Sequence, residues 1–94
     1  MKVRPAVQRF AEDMERVLRK HDKTKGVNGW EKSDCTFGFL VDKFDEEVEE
    51  VVTELQLCGF SSETGKNTYT KEVKKELVDV ANICMMLCEK MKEE

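Results

Sequence analysis

Apolar side chains recur at alternating steps of three and four residues along three segments of this chain, and this spacing constrains its fold more than any other feature. Such a period collects apolar side chains on one face of an α-helix. Two polar stretches rich in Gly, Ser, Thr, Asn and Lys separate the segments. The pattern therefore predicts a short all-α bundle with three main helices that pack at small crossing angles.

Residues that cap or interrupt helices mark the ends of these segments. The first helix is predicted over about residues 4 to 20, with Pro5 in its first turn, where a missing N–H leaves no hydrogen bond unmade. The other candidates are Ser33 or Asp34 as the N-cap of the second helix, Gly59 as its end, and Thr68 or Thr70 as the N-cap of the third.

The third helix is expected to bury its apolar side chains against the other two. Its predicted seam consists of Val73, Leu77, Val80, Cys84, Leu87 and Met91. Cys84 and Cys88 lie one turn apart beside apolar residues. Because a free cysteine behaves as a small apolar side chain, we expect these two to be reduced thiols in the core.

The length and charge of the chain limit what it can be. A single domain spanning residues 1–94 buries only about two-thirds of the surface of its unfolded chain, so we expect homo-oligomerisation to complete the bundle. The net charge of −4 repels a nucleic-acid duplex. No apolar stretch approaches the roughly 20 residues that cross a bilayer, and no signal-peptide core follows the N-terminus. We expect a soluble, cytoplasmic protein that binds neither a nucleic-acid duplex nor a membrane.

Two acidic clusters lie on the second and third predicted helices, at residues 46–50 and 76–79. Each places two carboxylates three residues apart, where like charges share a helix face and repel each other. A chain that does this twice beside an apolar seam is expected to hold a cation. The simpler interpretation is a solvated helix face, in which Lys43 and Lys75 pair with the acids one turn further on.

Helical geometry selects four of these carboxylates for the cation. At about 100° per residue, Glu47 and Glu50 fall on one flank of the second seam. Glu76 and Asp79 fall on the matching flank of the third seam, so the four converge at the edge of one groove if the helices pack side by side. An all-oxygen set that stays open to water favours Mg²⁺, with Mn²⁺ as a possible substitute.

The two clusters also resemble the signature of a known family. Glu46-Glu47-Val48-Glu49-Glu50 followed by Glu76-Leu77-Val78-Asp79 is similar to the Glu-Glu-x-x-Glu and Glu-x-x-Asp motifs of the MazG-like nucleoside triphosphate pyrophosphohydrolases. The likeness extends to Gly29-Trp30 after a basic loop and to Asp79-Val80-Ala81-Asn82, and it covers roughly residues 21 to 91.

This resemblance implies a fold, a reaction and a set of site residues. The fold is an all-α NTP pyrophosphatase of the four-helix-bundle kind, assembled as a homodimer or homotetramer. The reaction is Mg²⁺-dependent hydrolysis of an NTP or dNTP between its α and β phosphates, a house-cleaning activity that yields a monophosphate and pyrophosphate. The implied metal ligands are Glu47, Glu50, Glu76 and Asp79. Either Glu46 or Glu50 is expected to orient or deprotonate the attacking water.

Substrate phosphates and the base need further partners. Lys25 and Lys43 are the leading candidates for the phosphates. Trp30 is a candidate to stack on the nucleobase, and Asn82 to contact either phosphate or base. His21 is expected to be a packed or helix-capping residue with no part in catalysis.

Two other functions stay open at this point. Phosphoribosyl-ATP pyrophosphohydrolase would use the same carboxylates, since it breaks the same kind of phosphoanhydride bond. A non-catalytic helical assembly module would carry the acidic flanks only as solvated faces. The response of the protein to Mg²⁺ separates this second alternative from an enzyme.

Overall fold

The computed structural model describes residues 1–57 and 71–92. These residues form three α-helices, α1 (Pro5–Lys25), α2 (Phe37–Leu57) and α3 (Lys71–Met91), with one short 3-10 turn at Gly29–Glu31. No strand occurs within the described ranges, which confirms the all-α prediction. The expected four-helix bundle is wrong for a single chain, because the sequence supplies only three segments with helical apolar spacing.

Helix α1 continues for five residues beyond its predicted end at residue 20. Nothing between residues 20 and 25 breaks a helix, and Lys23 and Lys25 place positive charge in the last turn, where it favours the helix dipole. The helix ends at Gly26, whose φ of 83° suits a residue without a side chain. The Gly26 N–H donates to the carbonyl of Asp22 over 3.0 Å.

Helix α2 begins after a different cap from either predicted one. The Phe39 N–H donates to Thr36 Oγ1 over 3.1 Å, and the Leu40 N–H donates to the Thr36 carbonyl over 3.1 Å. The N-cap of α2 is therefore Thr36, and neither Ser33 nor Asp34, because Thr36 immediately precedes the first helical residue. The predicted helix end at Gly59 and the predicted caps Thr68 and Thr70 lie outside the described residues.

Helix α3 is the centre of the fold, since it packs against both of the other helices. The buried apolar side chains come from α2 and α3: Leu40, Val51, Val73 and Val78. Helix α1 buries none of its side chains completely. Polar contacts tie α1 to α3, including an ion pair of 3.4 Å between Lys74 and Asp13.

The predicted seam of α3 is wrong at three of its six positions. Val73 is buried as expected, but Leu77 is 43 % exposed and Met91 is 57 % exposed. The predicted core thiols Cys84 and Cys88 are exposed as well. Residues on the other side of α3 face inward, with Val78 and Asn82 each 3 % exposed. A periodic pattern identifies an apolar face, but it does not say which neighbour covers that face.

None of the described helices combines the length and the apolar character needed to cross a membrane. Each of the three helices carries several charged side chains along its length.

Candidate functional site

Three carboxylates meet where α2 packs on α3. Glu47 and Glu50 from α2 and Glu76 from α3 each offer one oxygen, and these three oxygens lie within 4.8 Å of one another. We call these three residues the acidic trio. Glu47 and Glu76 are half-buried, whereas Glu50 is exposed, so the cluster has a packed side and a side open to solvent. Three of the four predicted metal ligands are thus brought together.

Two oxygens of the acidic trio have no hydrogen-bond partner among residues 1–57 and 71–92. They are Glu47 Oε2 and Glu76 Oε2, and both are shielded from solvent. An unpaired buried acceptor costs about 1–3 kcal/mol, and more when it carries charge. A cation bound beside these two oxygens would therefore supply the partner that each of them lacks.

Burial and mutual repulsion shift the protonation of the acidic trio. Burial, followed by hydrogen bonding to Glu50 and repulsion by its charge, raises the pKa of Glu76 to about 7. Burial also raises the pKa of Glu47, with further contributions from the charges of Glu50 and Asp79. Because a nearby positive charge favours ionised carboxylates, a divalent cation would relieve this repulsion.

Asp79, the fourth predicted ligand, lies one turn beyond Glu76 and outside the acidic trio. Burial raises the pKa of Asp79, and the positive charges of Lys75 and His21 oppose that shift. Its carboxylate acts electrostatically on Glu47, so it borders the same site.

A cavity of about 560 Å³ opens beside these carboxylates. Glu47 and Asp79 form part of its wall, which joins it to the candidate metal site. All four predicted substrate residues also line it: Lys25, Trp30, Lys43 and Asn82. Apolar side chains complete the wall, among them Val17, Leu18, Phe39, Leu40, Ile83 and Met86.

Local structure near α1 shapes the mouth of this cavity. Asn28 takes up a left-handed conformation with φ of 51°, and its N–H donates to Asp22 Oδ1 over 3.2 Å. The Lys32 ammonium donates to the carbonyl of Lys25 over 3.2 Å. These two bonds fold the segment that carries Trp30 back onto the end of α1.

Asn82 has both a structural partner and an unused acceptor. It is buried, and its Nδ2 donates to the carbonyl of Met14 over 3.3 Å, which joins α3 to α1. A carbonyl oxygen cannot donate a hydrogen bond, so this contact fixes which end of the amide faces Met14. Asn82 Oδ1 is buried and has no hydrogen-bond partner in the part of the chain that the structure describes.

Glu46 is the predicted catalytic residue that the fold keeps apart from the acidic trio. Its carboxylate is exposed and pairs with the Lys43 ammonium over 3.4 Å. Glu46 belongs neither to the acidic trio nor to the residues that line the cavity. Glu50, the other candidate, is part of the acidic trio.

His21 is a cavity residue that the sequence pattern did not identify. It was expected to be packed or to cap the end of α1, but α1 continues past it and its side chain is exposed on the cavity wall. Its charge acts on Asp79. The available signal was its position one turn beyond Val17 and Leu18, because helical residues at that spacing share a face.

Comparison of the chain with known proteins gives no family to which it belongs. No family model matches it, and searches of curated proteins and of solved structures found no match.

Proposed function

We propose that this protein is a Mg²⁺-dependent nucleotide pyrophosphohydrolase of the MazG-like kind. It cleaves an NTP or dNTP between the α and β phosphates and releases a monophosphate and pyrophosphate. The observation that carries the proposal is the junction of the acidic trio with a cavity that is also lined by three lysines and by the only tryptophan of the chain. The substrates it consumes are cytoplasmic metabolites, so we propose that it works in the cytoplasm.

The donor set fits a hard divalent cation. Glu47, Glu50 and Glu76 would hold it, with Asp79 as the fourth carboxylate on the same side of α3. The unpaired oxygens of Glu47 and Glu76 support this assignment, because they have no other partner among the described residues. When bound, Mg²⁺ would neutralise the triphosphate and polarise the phosphorus under attack, and Mn²⁺ could substitute for it.

The cavity suits the remainder of a nucleotide. Its volume falls within the range of about 300–1,000 Å³ that is usual for small-molecule sites. The Lys25 and Lys43 ammonium groups would pair with phosphate oxygens. The Trp30 ring would stack on the base, and the unpaired Oδ1 of Asn82 would accept a hydrogen bond from a base N–H.

Hydrolysis needs a group that accepts a proton from the attacking water. The water oxygen bonds to the α-phosphorus, the bond from that phosphorus to the bridging oxygen breaks, and pyrophosphate leaves with the electron pair. Glu50 is the better candidate for the proton, because it is exposed on the open side of the acidic trio. Glu46 remains the alternative, although its pairing with Lys43 holds it away.

The proposed enzyme works as a homodimer or homotetramer. Few side chains of the described helices are fully buried, so the chain exposes apolar surface that a second copy would cover. The response of the protein to Mg²⁺ distinguishes an enzyme from a non-catalytic module. If the protein is a hydrolase that uses the acidic trio, Mg²⁺ should bind to these three residues. If the protein is instead only a helical assembly module, Mg²⁺ will leave its melting temperature unchanged.

The decisive experiment measures pyrophosphate release from each common NTP and dNTP and from phosphoribosyl-ATP, with and without Mg²⁺. We expect release only with Mg²⁺, and a loss on the order of 100-fold or more in Glu47→Gln. Glu49→Gln is the matched control, since Glu49 lies on the same helix but is exposed outside the acidic trio. Release only from phosphoribosyl-ATP would assign the protein to histidine synthesis. Absence of release from every substrate would refute the enzymatic proposal.

A further inference from the structure

We propose that Phe39 is a base-binding residue, and that the nucleobase packs on the rings of Phe39 and Trp30 while the phosphates extend along α2 towards Glu47. The inference rests on the proposed function and deepens it, because it fixes the direction in which a nucleotide lies in the cavity. Phe39 was not among the candidate residues that the sequence identified.

Phe39 is an exposed aromatic residue on the wall of the cavity. Its side chain is 50 % exposed, whereas the next residue, Leu40, is 3 % exposed and belongs to the core. Contact of an apolar ring with water is unfavourable in proportion to the exposed area of the ring. A flat apolar group bound in the cavity would remove part of this area from water.

A second aromatic ring belongs to the same wall. Trp30 lines the cavity and is half-buried. It comes from the short 3-10 turn beside the end of α1, whereas Phe39 comes from the first turn of α2. Rings supplied by two separate elements can both contact one planar base, and stacking on aromatic side chains is a common way to bind a base.

Phe39 lies in line with a candidate phosphate ligand and a candidate metal ligand. Phe39, Lys43 and Glu47 follow one another at intervals of four residues on α2, so they share one face of the helix. All three line the cavity. At a rise of about 1.5 Å per residue, Phe39 and Glu47 are roughly 12 Å apart along the helix axis, with Lys43 midway. This face therefore presents an aromatic ring, an ammonium group and a carboxylate in that order.

A nucleoside triphosphate has a matching order of groups, with the base at one end, the phosphates at the other and the ribose between them. When a cation at Glu47 and the Lys43 ammonium hold the phosphates, the base reaches the Phe39 end of this helix face. The opposite direction would bring the phosphates to the Phe39 ring, whose face is partly negative, and would leave the cation without them.

Binding of nucleotides that cannot be cleaved tests the inference apart from the reaction. The probes are α,β-methylene-ATP and α,β-methylene-CTP, with tripolyphosphate as the ligand without a base, each titrated calorimetrically with Mg²⁺. We expect Phe39→Leu, which removes the ring but keeps an apolar side chain, to weaken both nucleotides about tenfold, because every base has a planar face. Tripolyphosphate should bind this variant as it binds the wild type. Phe39→Tyr keeps the ring and should bind both nucleotides as the wild type does.

Phe37→Leu is the matched control. Phe37 begins α2 and is 38 % exposed, but it lies outside the cavity wall. Leucine at this position should leave every affinity within about twofold of the wild-type value. A photoreactive azido-base derivative of α,β-methylene-ATP tests the wild-type chain directly, and it should label Phe39 or a residue within one turn of it.

Three binding results would overturn the inference: a wild type that does not bind α,β-methylene-ATP, an unchanged nucleotide affinity in Phe39→Leu, or equal weakening of nucleotides and tripolyphosphate. If Phe39→Leu fails to fold, photolabelling that is confined to residues remote from Phe39 would overturn it instead.

Pyrophosphate release is the separate readout for the proposed function. Release by the wild type, together with an unchanged nucleotide affinity in Phe39→Leu, would refute the base site and leave the hydrolase standing. Binding that depends on Phe39, without release from any substrate, would support the base site and refute the hydrolase.

Discussion

Glu47 of α2 and Glu76 of α3 hold carboxylate oxygens within 4.8 Å of each other, and one oxygen of each is buried with no hydrogen-bond partner among the described residues. Two ionised carboxylates at this distance repel each other and lose hydration on burial. The α2–α3 contact therefore contains a locally unfavourable element at the point where the candidate metal site lies. Such unfavourable arrangements are common at functional sites, where side chains that serve binding or catalysis reduce the stability of the fold.

The first prediction concerns pH. The pKa of Glu76 is raised from 4.5 to about 7 in the folded chain, so the folded state holds its proton more tightly than the unfolded state does. Stability from this group is complete below about pH 4.5 and is lost as the pH rises through 7. In EDTA, the melting temperature should fall between pH 5 and 8, and Glu76→Gln should flatten this dependence. A melting temperature that rises with pH in EDTA would contradict the assignment.

Glu50 and Glu46 should differ sharply in catalysis. Because Glu50 lies in the acidic trio and Glu46 pairs with Lys43 outside it, Glu50→Gln should lower kcat by about 10²–10⁴-fold. Glu46→Gln should lower it less than about tenfold. Steady-state assays of pyrophosphate release measure both values. The opposite order would move the proton-accepting role to Glu46.

Trp30 should report directly on nucleotide binding, because it is the only tryptophan of the chain and lines the cavity. Stacking of a base on its ring should quench its fluorescence. Tripolyphosphate, which has no base, is the control and should leave the emission almost unchanged. Trp30→Ala should raise KM by roughly tenfold, the equivalent of about 1.4 kcal/mol of stacking. Equal quenching by both ligands would argue against stacking.

Asn82 should contribute to stability as well as to substrate binding. Removal of its hydrogen bond to the Met14 carbonyl and of its buried side chain should lower the free energy of unfolding of Asn82→Ala by about 1–2 kcal/mol. Urea denaturation measures this change. Gln8→Ala is the control, since Gln8 makes an exposed side-chain bond to Glu12 and its loss should cost less than about 0.5 kcal/mol. Equal losses in the two variants would show that Asn82 does not tie α1 to α3.

Local chemistry explains which parts of the fold could be read from the sequence. Pro5 at the start of α1 and the three periodic segments correctly predicted the three helices that the described residues form, because backbone hydrogen bonding and side-chain spacing are local properties. The second N-cap was missed because several adjacent residues are able to cap. Thr36 is the N-cap because α2 begins at Phe37, the residue that follows it, and the Phe39 N–H donates to its hydroxyl.

The candidate site likewise combines features that the sequence predicts with features that only the tertiary structure decides. The spacing of Glu47 with Glu50 and of Glu76 with Asp79 depends only on helical geometry, and it placed these carboxylates on matching flanks. The sequence could not tell that Asp79 would lie outside the acidic trio, since this depends on the rotation of α2 against α3. The pairing of Lys43 with Glu46 is local to α2, where helical spacing allows Lys43 to reach either Glu46 or Glu47 and the side-chain rotamer selects between them.

By itself, the sequence determined three amphipathic helices and two pairs of stacked carboxylates, because both follow from the fixed rise and turn of the α-helix. Only the tertiary structure decided that α3 turns Val78 and Asn82 inward and leaves Leu77 and Met91 exposed. An apolar stripe indicates that a helix face will be covered, but it does not identify the neighbour that covers it. The packing of α1 and α2 against α3 determined which α3 side chains are buried.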